Sequence, residues 1–270
     1  MIYRKIPLDP TDESVFLEAF IAGKTKDFTR KAILVIPGGG YGDICAEREG
    51  EPIGIAFMAH GYNAFVLHYT VAQKKLFPAQ LIEASLAMQH IKDHAEEYNI
   101  DPEQVFAVGF SAGGHLAASL GVMWNLPAIY DAIDLPYGYN KPAGVMLIYP
   151  VISGLDEKNR HLGSFINLLG TDTPTITQLE ACSIEKHMHP DASPAYIVHT
   201  ANDQLVPVKN SLVLAEAYAA AGLKFELHIY PDAPHGMALG NAITAEGVEK
   251  FDNPCLARWV ENAVMWAERL

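Results

Sequence analysis

An α/β fold, with a mostly parallel central sheet and helices on both faces, is what this 270-residue sequence predicts. Three observations carry that expectation. Continuous apolar runs recur along the chain, as strands buried on both faces require. Amphipathic stretches with helical spacing separate them, and strands alternating with helices specify right-handed crossovers. Finally, 50% of the residues are apolar, ample for one full-sized core, and no repeat, low-complexity tract or linker divides the chain. A single domain over residues 1–270 follows.

The elements are legible in order. Val15 to Phe20 reads as an antiparallel edge strand. Ala32–Ile36 is the first clear buried strand, and Asn63–Tyr69 the second. Pro78 opens a helix in which Leu81, Ala84, Met88, Ile91, Ala95 and Tyr98 share one face, with Glu83, Lys92, Asp93, Glu96 and Glu97 pointing mainly elsewhere. Strands follow at Val105–Phe110, Gly144–Tyr149, Ala195–His199 and Phe225–Tyr230. Pro207 begins a helix through Val208, Leu212, Ala215 and Ala219, closed by Gly222. Asn253–Pro254 reads as an N-cap with proline in the first turn, leading into a last helix through Leu256, Val260 and Val264. Two stretches break the alternation, 121–142 and 151–194. Both are expected as cap-forming insertions at the carboxyl edge of the sheet, where α/β proteins bind ligands.

Gly109-Phe110-Ser111-Ala112-Gly113 stands between a strand and an apolar helix. A serine on such a sharp turn has its hydroxyl pushed out above the sheet, and the glycines let strand and helix approach closely. A serine hydroxyl needs an adjacent base, and the base needs an orienting carboxylate. His235, beyond the last strand, and Asp203, between a strand and a helix, follow Ser111 in the order that this turn usually carries. Asp232 and Asp191 are the rival acids; Asp232 is so close to His235 that it reads as shaping the turn. Among the other histidines, His199 and His228 fall inside strands, His90 and His94 lie on the first amphipathic helix, and His115 packs behind the serine turn. His187 and His189 lack an acidic or cysteine partner at ligand spacing, so they read as surface loop and no metal is expected. Pro37-Gly38-Gly39-Gly40-Tyr41-Gly42 directly follows the first clear strand, where successive glycines can turn backbone N–H groups to one point. The amides of Gly39, Gly40 and Ala112 are the expected oxyanion donors. A dinucleotide loop is excluded because Asp43 stands where the last glycine of G-x-G-x-x-G belongs.

Composition narrows the partners. The balance of 19 Lys+Arg against 32 Asp+Glu gives a net charge of −13, which repels nucleic acid and anionic membrane. Cys45, Cys182 and Cys255 are scattered and odd in number, so free thiols in a reducing compartment are expected. Met1 to Pro7 offers no apolar stretch of signal-peptide length, and a cytoplasmic location is expected.

With these residues in place, the chain resembles the α/β-hydrolase superfamily, and within it the small bacterial acetyl esterases related to hormone-sensitive lipase and the xylan acetyl esterases. The likeness runs over nearly the whole chain, through Ile36–Tyr41, His68–Ala72, Ile100–Pro102, Gly109–Ala118, His199–Pro207 and Ile229–Gly236. That family usually has histidine where this chain has Pro37, which leaves open which glycine amides form the hole. The resemblance implies a serine carboxylesterase acting on short acyl esters, often acetyl, of a sugar or similar alcohol. Ser111, His235 and Asp203 would form its triad. It needs no cofactor; its partner is a small-molecule ester and, among proteins, at most a second copy of the chain in a homodimer. Tyr41, Trp124 and Tyr137 are expected to touch substrate, the last two as amphipathic rings in the 121–142 segment. The alternatives are an amidase of the arylformamidase type and a non-catalytic binding protein on the same scaffold.

Overall fold

A computed structural model of the chain describes residues 1–24 and 28–270. Its sheet has eight strands: β1 Ile2–Pro7, β2 Phe16–Ile21, β3 Arg30–Ile36, β4 Asn63–His68, β5 Ile100–Phe110, β6 Val145–Ile148, β7 Ala195–Thr200 and β8 Phe225–Tyr230. Their spatial order is β1-β2-β4-β3-β5-β6-β7-β8. β1, β2 and β4 pair antiparallel, and every later pairing is parallel. The helices are α1 Ala46–Glu49, α2 Glu51–Ala59, α3 Ala79–Asp93, α4 Ala95–Tyr98, α5 Ser111–Val122, α6 Pro127–Ala132, α7 Leu162–Leu169, α8 Ile176–Cys182, α9 Lys209–Ala220, α10 Ala242–Ala245 and α11 Trp259–Ala267.

Side chains alternate across each strand, so the apolar runs feed two cores. Leu34, Ile36, Ala107, Leu147 and Ile197 face α3, α5 and α9. Ile33, Val35, Val108, Met146 and Val198 face α2 and α11 through Phe57, Trp259 and Trp266. The mostly parallel sheet covered on both faces is the α/β-hydrolase architecture.

Five local expectations need correcting. β2 is antiparallel as expected but not an edge; β1, whose side chains are largely exposed, holds that position. Glu83 does not face water. Its carboxylate is buried and accepts hydrogen bonds from the Thr70 amide at 2.7 Å and hydroxyl at 2.6 Å, tying α3 to the loop after β4. Lys92 is buried too, its amine donating to the Lys141 carbonyl at 3.0 Å. In α9 the buried face is Ser211, Leu214, Ala215 and Tyr218, and Leu212 is exposed. Near the C-terminus, the Asn253 side chain does accept from an amide, that of Leu256 at 3.2 Å, but the turn it starts is a short 3-10 segment ahead of α11.

Candidate active site

β5 ends at Phe110, and Ser111 opens α5 with φ at +52°, a left-handed conformation unusual for a residue with a Cβ. The chain reverses there because α5 packs tightly on the end of β3. A Cβ on Gly113 would lie 2.1 Å from the Ile36 carbonyl oxygen and 2.3 Å from that of Pro37. Only glycine allows this approach, and it fixes the turn that lifts the Ser111 hydroxyl off the sheet. At the start of α5 the Ala112 N–H has no intrahelical acceptor.

The loops after β7 and β8 bring two further groups to this point. His235 Nε2 lies 2.9 Å from Ser111 Oγ, and its Nδ1 lies 2.7 Å from Asp203 Oδ2. A carboxylate only accepts, so Nδ1 carries the proton and Nε2 is left as the acceptor facing the hydroxyl. The other Asp203 oxygen accepts the Leu205 and Val206 amides, each at 2.9 Å. Burial alone would push this carboxyl up, but hydrogen bonds from His199 and His235 outweigh it and hold Asp203 below the usual carboxylate range. His199 is locked by its own contacts: Nε2 donates to the Val206 carbonyl at 2.8 Å, and Nδ1 accepts from Ser211 at 2.7 Å. Asp232, the rival acid, instead holds the Asn202 amide at 3.1 Å. The rival at position 191 sits at the other end of the sheet, where its backbone carbonyl takes the Trp124 indole.

The glycine turn is pinned on its outer side. Gly39 has φ at +124°, and a Cβ there would lie 2.1 Å from the Asp43 carbonyl oxygen. The Gly39 carbonyl accepts from the Gly42 and Asp43 amides at 3.0 and 3.1 Å, and the Gly40 carbonyl accepts from Asn167 Nδ2 at 2.9 Å. In a trans peptide the N–H points opposite to the C=O. The Gly40 N–H is therefore directed away from the 42–43 side. Neither the Gly39 nor the Gly40 N–H donates to an acceptor among the described residues. Gly38 differs, since its N–H is taken by Glu49 Oε2 at 2.8 Å.

Ser111, His235, Gly39 and Gly40 line one cleft of about 390 Å³. Its other walls are Arg48, Glu49, His161 and Asn167, with Leu205 and Cys45 as the main apolar surface. The sequence reading missed those first four. Arg48 donates to the Gly236 carbonyl at 2.7 Å and to that of Thr244 at 3.1 Å. Glu49 is buried, its second oxygen accepting the Tyr149 hydroxyl at 2.8 Å. Burial raises the Glu49 carboxyl above its ordinary value, against the pull of the Tyr149 and Gly38 hydrogen bonds. Tyr149 itself has φ at +39°, and its ring stands edge-on to His235 at 4.8 Å. His161 is lowered from its ordinary value by burial and by the nearby His235.

The three residues expected to touch substrate lie elsewhere. Tyr41 turns inward: it is 2% exposed and its hydroxyl bonds His115 Nδ1 at 2.8 Å. Trp124 and Tyr137 pack on each other, ring centroids 5.2 Å apart, beyond the far end of α5. Because α5 starts at the carboxyl edge and runs back, residues 121–142 sit at the amino edge and cannot cap the cleft. Of the other expected insertion, α7 and the residues before it do reach the cleft, through His161, Gly163 and Asn167. Among the described residues, no group of three or more His, Cys, Asp or Glu is placed to hold a metal. His187 and His189 instead bond the Glu180 and Val122 carbonyls. Among the described residues, no helix is long and apolar enough to cross a membrane.

Fold and site together define an α/β hydrolase. Within that class the chain belongs to the BD-FAE family, whose pattern matches residues 19–218. It is 36% identical over 222 residues to endo-1,4-beta-xylanase B of Butyrivibrio fibrisolvens, covering 80% of this chain and 34% of that protein. It is 33% identical over 217 residues to the acetylxylan esterase of Xylanibacter ruminicola, covering 78% of this chain and 42% of the relative. The chain thus spans less than half the length of either. Among solved structures, the acetyl ester-xyloside bifunctional hydrolase of Caldicellulosiruptor lactoaceticus superposes with a TM-score of 0.81 at 31% identity, covering 98% of this chain and 96% of that one.

Proposed function

We propose that the chain hydrolyses short-chain carboxylic esters, acetyl esters foremost, through an acyl-enzyme on Ser111. The observation that carries this reading is the hydrogen-bonded line Ser111–His235–Asp203 opening into a small cleft. In the first step Ser111 Oγ bonds to the ester carbonyl carbon while His235 Nε2 takes its proton. The carbonyl oxygen becomes an oxyanion, facing the amides of Gly39, Gly40 and Ala112. Collapse breaks the bond to the alcohol oxygen, which leaves with the proton from His235. Water then repeats the sequence on the acyl group, giving the acid and restoring Ser111. Asp203 keeps the imidazole in the required tautomer and stabilises its charged form.

The cleft supports a short acyl group, because it offers Leu205 and Cys45 but no long aliphatic wall. The alcohol must lie on the His235 side, since that residue protonates it. An adjoining open depression of about 620 Å³ begins there and is lined by Asn202, Gln204, Leu205 and Asp232. Its hydrogen-bonding groups suit a sugar-like alcohol, and the acetylxylan esterase and xylanase names of the relatives support the same choice. The test is hydrolysis of p-nitrophenyl esters from acetate to decanoate, with acetylated xylose and an aryl formamide alongside. The expected result is a steep fall beyond butanoate, acetylated sugar cleaved and the formamide slower than either. Octanoate or decanoate as best substrate would replace the short-acyl reading with a lipase-like one.

A further inference from the structure

One short helix ties together the two loops that must meet at Ser111. From α1, Glu49 reaches the glycine turn through the Gly38 amide at 2.8 Å. Its other oxygen takes the Tyr149 hydroxyl at 2.8 Å, and the Tyr149 oxygen in turn accepts the Ala238 amide at 2.9 Å, three residues beyond His235. The preceding residue, Arg48, holds the Gly236 carbonyl at 2.7 Å, one residue beyond His235. The Tyr149 ring sits edge-on to His235 at 4.8 Å. Glu49 also lies close under the nucleophile: a Cβ on Gly38 would be 2.7 Å from Glu49 Oε2 and 3.1 Å from Ser111 Cβ. A carboxylate buried this deeply is costly unless its oxygens are satisfied, and here both are.

We propose that Glu49 is a positioning residue, a clasp that fixes the glycine turn against the His235 loop and draws the Gly38 amide out of the cleft, leaving the Gly39 and Gly40 amides to meet the oxyanion. This rests on the reading of Ser111 as the acyl acceptor. The Gly38 bond sets the rotation of the peptide just before the two free amides. The Tyr149–Ala238 branch sets the depth of the loop that carries the base. Preorganised donors matter most where charge develops, so loss of the clasp acts on the rate step rather than on substrate capture.

The test compares Glu49→Ala with Glu49→Gln, using p-nitrophenyl acetate turnover, inhibition by a boronic acid that forms a tetrahedral adduct on serine, and amide hydrogen exchange. Glu49→Ala is expected to lower kcat by about 10²-fold, as for loss of one oxyanion donor, with KM changed by less than about threefold. The boronate inhibition constant should rise in step with the fall in kcat/KM. Exchange should quicken in both 37–42 and 235–239. Glu49→Gln keeps a carbonyl oxygen for the Gly38 amide, so kcat within about tenfold of the parent, with slow exchange restored, is expected. The clasp is overturned if Glu49→Ala keeps kcat within about threefold, if Gln is as impaired as Ala, or if exchange quickens in neither loop. Should the parent chain cleave no ester, the function assigned to Ser111 fails, while the exchange comparison still decides the clasp.

Discussion

The two ends of the sheet are built in contrasting ways. At the carboxyl edge, Ser111 and Tyr149 hold left-handed backbones, and the carboxylates of Glu49 and Asp203 are buried beside them. At the amino edge, Trp124 stands edge-on to Tyr137 and Tyr130 stacks against Tyr137, with centroid separations of 5.2 and 5.5 Å. There the buried Lys92 amine is held by the Lys141 carbonyl, and the polar groups of the aromatic cluster itself are neutral and paired. Asn140 bonds the Ser85 hydroxyl and the Trp124 carbonyl, and the Trp124 indole reaches the Asp191 carbonyl. Strain and buried charge need a surrounding structure that enforces them, and they collect where chemistry is done. The aromatic cluster needs neither. Its rings close the far end of α5, which at 12 residues places them about 18 Å from Ser111.

Substitutions at the two ends should therefore separate rate from stability. Ser111→Ala is expected to cut kcat on p-nitrophenyl acetate by on the order of 10⁶, while the thermal midpoint stays near that of the parent. Asp203→Asn should cost on the order of 10⁴, and Asp232→Asn less than about threefold; the reverse order would move the acid role to Asp232. Trp124→Ala should do the opposite of both. It removes a buried indole, so stability in urea should fall by about 3 kcal/mol or more, with kcat/KM on acetylated sugar unchanged within about threefold. A drop in rate without a drop in stability would return the aromatic cluster to the substrate.

Acid should act through the wall behind the serine turn. Burial holds His115 at about 4 in the folded chain, against about 6.5 when unfolded. Between those values the unfolded chain binds the extra proton. The stability is fully present above about pH 6.5 and is lost as pH falls through 4, by about 3 kcal/mol for this one group. Urea titrations of the parent and His115→Asn at pH 7 and pH 4.5 should show a shallower loss in the variant; parallel losses would remove His115 as a cause. The smallest effect is expected at the serine turn itself. Ser111→Gly should be more stable than Ser111→Ala by about 1 kcal/mol, because only glycine takes the +52° φ without strain; equal thermal midpoints would mean that the turn is not strained.

The same contrast explains what could be read from the letters. Ser111 directly follows β5, and Asp203 and His235 lie on the loops just beyond β7 and β8, so a local pattern places them at one edge. Glu49 carries no such signal. In sequence it resembles any solvated charge in a short helix, and only the crossing of α1 beneath the glycine turn buries it. His161 and Asn167 reach the cleft through a long, loosely patterned insertion, and Tyr149 reaches Glu49 and the His235 ring from a strand end that looked merely apolar. Trp124 and Tyr137 were misplaced because a helix after the carboxyl edge carries the chain back to the amino edge. β1 escaped notice because Tyr3, Arg4 and Lys5 are exposed, giving neither an apolar run nor a clear alternation.

The central claim is that the carboxyl-edge serine is the acyl acceptor, and covalent capture tests it most directly. The protein is treated with a fluorophosphonate, digested, and the adduct located by mass spectrometry while esterase activity is followed in the same sample. The expected result is one adduct per chain, on Ser111, with activity lost in proportion to labelling. An adduct on another residue, or full labelling of Ser111 with hydrolysis intact, would contradict the account.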